Sequence, residues 1–226
     1  MKEKKNQLKK PVLIGMILNP NEQFKRIQIH PIIWYPLIIL SLISMVVTIL
    51  VAINIDYIPS FGMTEKDIKV AKMVGTIVGA LGTLIGLPVG YVLYAVILWG
   101  IAKKAKSTVT FKQMFSLIIF ISFIRVIGQS INQMILVAIN GDQDHLLTSL
   151  NYFVGANGVL GEILGVIELF SIWYYILLSI GLIKIAKLSN RMSISISIIF
   201  FCLLLILTSV QGAMEEYHFE HIIGGE

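Results

Sequence analysis

Five long apolar stretches, separated by short polar ones, set the pattern of the chain. They cover roughly residues 32–54, 70–102, 113–140, 159–186 and 194–211. A helix needs about 20 apolar residues to cross a bilayer, and each stretch is close to that length or longer. The pattern therefore predicts an all-α polytopic membrane protein, a bundle of five transmembrane helices. Residues 1–31 form a cytoplasmic or interfacial N-terminal segment, 32–211 the bundle, and 212–226 an extracytoplasmic tail. No loop is long enough to bury an aqueous core of its own. The second stretch is over-long and contains Pro88, which predicts a kink or a break.

Before the first span, "NPNEQFKRIQIHP" predicts a short helix. Asn19 is placed to cap it, Pro20 suits the first helical position, and Glu22 stands where a capping box puts its acid. Phe24 and Ile27 share a face beside Lys25 and Arg26, the pattern of a helix lying among headgroups with its apolar face in lipid.

Composition agrees with the pattern. Of 226 residues, 56% are hydrophobic and 14% charged, against about 25% charged in a soluble domain. The start "MKEKKNQLKKPVLIGMIL" imitates a signal peptide but leads into "NPNEQFKRIQ" with no small-residue cleavage site, so its retention is expected. The net charge of +5 is no sign of a nucleic-acid partner, because the basic residues flank the apolar runs. With a cytoplasmic N-terminus, fourteen of the 18 lysines and arginines fall on the inner side: seven before the first span, four in 103–112 and three in 184–191. Only Lys66, Lys69 and Lys72 fall outside, and Arg125 is intramembrane. That bias predicts a membrane protein with its N-terminus inside and its C-terminus extracytoplasmic.

Arg125 opens the candidate chemistry. Gln129, Asn132 and Gln133 follow it on one helical face, which lipid cannot satisfy and which must point into the bundle. Glu162 and Glu168 of the fourth span are the candidate counter-charges. Counted at ~1.5 Å per residue, Arg125 stands about 18 Å and Glu168 about 27 Å above the inner surface, within reach of an outstretched arginine. Glu162 lies nearer the outer interface. The expectation is an Arg125–Glu168 pair, serving either helix register or a proton or substrate path.

Span two carries Gly75, Gly79, Gly82, Gly86 and Gly90, a small-residue stripe for close helix approach. It suits packing inside the bundle, a second copy of the chain, or a helix of another integral membrane protein. Gly158, Gly161 and Gly165 suit packing in span four. The tail "EEYHFEHIIGGE" contains His218 and His221 among carboxylates, a weak hint of a metal site. One cysteine, Cys202, excludes an internal disulfide. H-E-x-x-H, G-x-S-x-G, P-loop and dinucleotide-binding patterns are all absent, so no catalytic residue, cofactor or metal is expected. A gapless echo relates "GIAKKAKSTVTFKQMFSLIIF" from Gly100 to "GLIKIAKLSNRMSISISIIFF" from Gly181; duplication and shared composition both account for it.

Three segments carry a resemblance. "LNPNEQFKRIQIHP", "STVTFKQMFSLIIFISFIRVIG" and "GVIELFSIWYYILLSIGLIKIAKLS" are similar to the start, the third-span loop and the fourth span of the Yip (Ypt-interacting-protein) domain. The resemblance extends over nearly the whole chain and implies one Yip-like membrane domain over 1–226. It further implies an integral membrane adaptor rather than an enzyme. Eukaryotic relatives work with small GTPases, and some bacterial ones are associated with ABC exporters that protect against toxic peptides. Expected partners are membrane lipid and another integral membrane protein, such as ABC transporter subunits. The competing expectation is a small transporter or channel built on Arg125 and Glu168.

Overall fold

The computed structural model describes residues 9–54, 64–141 and 146–218. Within them the chain forms α1 (Gly15–Leu18), α2 (Pro20–Ile29), α3 (Trp34–Asn54), α4 (Glu65–Lys104), α5 (Phe111–Ala138), α6 (Leu150–Val154), α7 (Gly158–Val166), α8 (Leu169–Lys184) and α9 (Asn190–His218). No strand occurs among the described residues, and a single isolated bridge joins Ser149 to Glu168. Helices α3, α4, α5 and α9 are long and apolar enough to cross a membrane. The protein is an all-α polytopic membrane protein, as its hydropathy pattern implies.

The expected fourth span is not continuous. It divides into α7 and α8 at Ile167–Glu168, where Glu168 adopts an extended backbone and its carboxylate accepts from the N–H groups of Phe170 and Ser171. The start of α6 completes the break, with Leu150 N–H donating to Ile167 O at 3.1 Å. Backbone freed inside a membrane must find such partners. Pro88, by contrast, interrupts nothing: α4 runs unbroken for 40 residues.

Asn19 caps α2 as its sequence predicts, accepting from Glu22 N–H at 3.2 Å, and Arg26 pairs with Glu22 one turn on. The apolar face of α2 does not lie in lipid. Phe24 and Ile27 are fully buried with Met16 in the core of the bundle. Ser116 Oγ fixes the elbow after α2, accepting from Ile32 N–H (3.2 Å) and donating to Ile32 O (2.8 Å), while Gln113 Nε2 donates to Gln28 O at 2.7 Å. Burial in protein offers those side chains a denser set of contacts than fluid lipid does.

Packing differs between the two ends of the bundle. At the end holding Lys103, Lys104, Lys184 and Arg191 (the basic end), α5 is buried on every side from Met114 to Ile124. Around it lie Leu37 and Leu40 of α3, Leu98 and Ala102 of α4, and Leu177, Leu178 and Leu182 of α8. A helix apolar all round belongs at such a centre. Toward the opposite end burial fades. The buried residues of α3 stop at Ser41, and those of α4, Ala80 apart, begin at Ala95. There α3 holds to α4 through the Thr48–Thr83 hydroxyl pair (3.0 Å), and α9 to α7, where Gly212 meets the backbone of Gly158. A hollow lies between the two pairs.

The sequence echo has a structural counterpart. Its aligned lysines, Lys106 after α4 and Lys187 after α8, both take positive φ, 59° and 56°. Ser107 Oγ donates to Ala186 O, so the two turns touch.

Candidate functional site, an intramembrane polar cavity

The hollow is a cavity of about 940 Å³. Helices α3, α4, α5, α8 and α9 all contribute to its wall. The polar lining comes from Ser44 and Thr48 of α3, Thr83, Tyr91 and Tyr94 of α4, Ser122, Arg125, Gln129, Ser130 and Gln133 of α5, and Tyr174 and Tyr175 of α8. Val47, Val51, Leu204 and Leu207 supply apolar wall. Arg125 is half-way along α5, about 21 Å from either end. Tyr94, Tyr174 and Phe200 close the side toward the packed end. Tyr94 meets Phe200 edge to face at 4.8 Å and lies 6.5 Å from Tyr174.

Three of the expected polar residues, Arg125, Gln129 and Gln133, therefore line one space. Arg125 and Gln129 are exposed to it, while Gln133 is 7% exposed and its Oε1 has no hydrogen-bond partner. The guanidinium carbon of Arg125 stands 5.5 Å from the ring centroid of Tyr174, a cation–π contact. Among the described residues no carboxylate lines the cavity. An arginine at the centre of a membrane helix costs about 2.5–3.5 kcal/mol on insertion scales, so water or an anion in the hollow lowers its energy.

The expected pairing of Arg125 with Glu168 is not formed. Glu168 is buried, and its carboxylate is taken up by the N–H groups of Phe170 (2.9 Å) and Ser171 and by the hydroxyl of Thr148 (3.1 Å). The acid starts a helix instead of neutralising a base. Asn132 also leaves the cavity group. Its Oδ1 accepts from Thr148 N–H (3.0 Å), and its Nδ2 donates to Thr148 Oγ1 (3.1 Å) and Gly128 O (2.8 Å). Asn132, Thr148 and Glu168 form a separate knot that ties the loop to the helix break. Glu162 is half-buried in α7, outside the cavity lining.

The glycine stripe is likewise divided. Gly79 touches Thr48 across the α3–α4 contact, at 3.5 Å from its virtual Cβ. Gly75, Gly82, Gly86 and Gly90 have nothing within 4 Å of that position, so the stripe does not serve close packing within this chain. Of the span-four glycines, Gly158 and Gly161 sit at close approaches and Gly165 has open space.

Among the described residues no group of His, Cys, Asp or Glu could hold a metal. His218 and His221 lie outside the residues whose side chains are described. Among its described lining residues the cavity offers hydroxyls, amides and one guanidinium, with no histidine or carboxylate. The tyrosines escape any reading that takes the spans singly, because they come together from two helices. Their signal was position: membrane tyrosines favour the interfaces, and Tyr91, Tyr94 and Tyr174 are well inside.

The Yip1 domain model matches residues 14–210. Membrane protein YknW of Bacillus subtilis (strain 168) is 29% identical over 209 residues, which is 90% of each chain. No solved structure matches.

Proposed function

We propose a function from one premise, that the chain belongs to the Yip1 domain family: it is a non-catalytic accessory protein that helps a membrane complex assemble or stay assembled. The specific candidate is an ABC exporter of a bacterial plasma membrane, one that protects against toxic peptides. The N-terminus is then cytoplasmic and the C-terminus extracytoplasmic, as the basic residues flanking the spans favour. The single observation that supports this reading is the free face of α4. Gly75, Gly82 and Gly86 are exposed with nothing near them, and small-residue faces of this kind admit a second helix at short range.

Crosslinking from that face tests the reading. Full-length protein carrying Cys202→Ser and Gly86→Cys, crosslinked in native membranes, is expected to join a membrane subunit of an ABC transporter. Gly82→Leu is expected to abolish the product while leaving the chain folded. A chain recovered alone from native membranes under every mild condition counts against the reading. A product containing two copies of this chain redirects it to a homo-oligomer. The cavity favours a second reading, a small transporter, which predicts flux in liposomes holding only this protein and its loss in Arg125→Gln.

A further inference from the structure

We propose that the cavity binds one anionic amphiphile whose head carries both an acidic group and a hydroxyl donor. The inference rests on the cavity alone and does not require the accessory role. Arg125 is permanently charged and stands at mid-membrane depth, with the Tyr174 ring beside it and Tyr91, Tyr94 and Tyr175 in the same cavity, and among the described lining residues no carboxylate neutralises it. Gln133 supplies the second term. It is nine-tenths buried, it lines the same space, and its Oε1 accepts nothing, so the site also lacks a donor. Gln129 lies between them, its amide exposed to the cavity.

Arg125 and Gln133 are eight residues apart, about 12 Å along the helix. Their own side chains and a head of a few bonds bridge that distance. A phosphate beside Arg125 and a hydroxyl beside Gln133 together meet both needs. The remaining wall argues for a tail. Val47 and Val51 on one side and Leu204 and Leu207 on the other give an acyl chain an apolar path. Near them α3 packs on α4 and α9 on α7, with the hollow between those pairs. A soluble polyol phosphate carries the same head chemistry but gains nothing from those four residues.

Binding to the purified full-length protein in a neutral detergent distinguishes these cases, read by native mass spectrometry. The probes are phosphatidylglycerol, phosphatidylcholine, palmitate and glycerol phosphate. Phosphatidylglycerol is expected to bind at least tenfold more tightly than phosphatidylcholine, and glycerol phosphate at least tenfold more weakly than the lipid. Arg125→Gln is expected to bring the two lipids to parity, whereas Lys104→Gln, an exposed cation at the basic end, keeps the preference. Gln133→Leu is expected to weaken phosphatidylglycerol several-fold without changing palmitate. Equal binding of the two lipids to the unaltered protein overturns the proposal, whether or not any variant folds. So does an equal effect of Lys104→Gln and Arg125→Gln. Glycerol phosphate binding as tightly as the lipid overturns the amphiphile, and equal losses of lipid and palmitate in Gln133→Leu overturn the hydroxyl donor.

Discussion

Neighbouring residues Asn132 and Gln133 do different work because a helix turns them about 100° apart. Asn132 ties down Thr148, whereas Gln133 looks into the hollow. Asn132→Ala leaves the Thr148 N–H without its acceptor, and is expected to cost about 1–3 kcal/mol of unfolding free energy in detergent titrations. Glycines divide in the same way. A methyl group on Gly128 would lie 2.1 Å from the Phe170 ring, while one on Gly86 would meet nothing within 4 Å. Gly128→Ala is expected to destabilise by about 1–3 kcal/mol, and Gly86→Ala to be neutral or to stabilise by up to about 1 kcal/mol. Thermal unfolding of the two variants side by side checks both signs. Spacing alone could not draw this distinction. Gly75 to Gly90 look like a packing motif in one dimension, but whether anything approaches them depends on how α3 and α4 lean. Arg125 was legible as a residue that must avoid lipid; its partner was not, because Glu168 had a nearer use in backbone hydrogen bonds.

The helices are legible in the sequence to different degrees, for identifiable reasons. Caps made of Asn, Thr and Pro are local, so the start of α2 could be placed from Asn19, Pro20 and Glu22 alone. The break before α8 uses Glu168, a residue type outside the usual capping set, and depends on Thr148 before α6 and Leu150 at its start. The two halves of that arrangement stand 20 residues apart, and no helical period links them. At the other end of the capping range, Thr64 and Asp67 begin α4 with a complete capping box. The Thr64 hydroxyl and N–H both donate to the Asp67 carboxylate and hold its pKa below the ordinary value. A carboxyl depressed on folding stabilises the helix start above the unfolded pKa of about 3.9 and loses that effect as pH falls through the folded value. Amide exchange in the first turn of α4 is therefore expected to be slow at neutral pH and to quicken, relative to the helix centre, as pH drops below about 4. Thr64→Ala, lacking the hydroxyl donor, is expected to shift that loss to higher pH.

At the scale of the molecule, hydropathy fixed the membrane class and charge fixed an expected orientation, but neither revealed the uneven packing. That feature arises from three-dimensional lean: α3 and α4 hold each other at the open end, α7 holds α9, and the core fills only the basic half. Orientation has a direct check. Single cysteines at Lys104 and at Lys69, in a Cys202→Ser background, are expected to react with a membrane-impermeant maleimide from opposite faces, Lys104 from the cytoplasmic one. Labelling of Lys104 in intact cells reverses the topology. The length of α4 carries a last consequence. Forty residues make a rod about 60 Å long, set in a hydrocarbon slab about 30 Å thick, and such a rod must tilt, protrude, or do both. That rod forms one wall of the hollow, so a change in its tilt moves the wall. Longer acyl chains in the host membrane favour a more upright rod and shorter ones a more tilted rod, so the shape of the hollow is expected to vary with bilayer thickness.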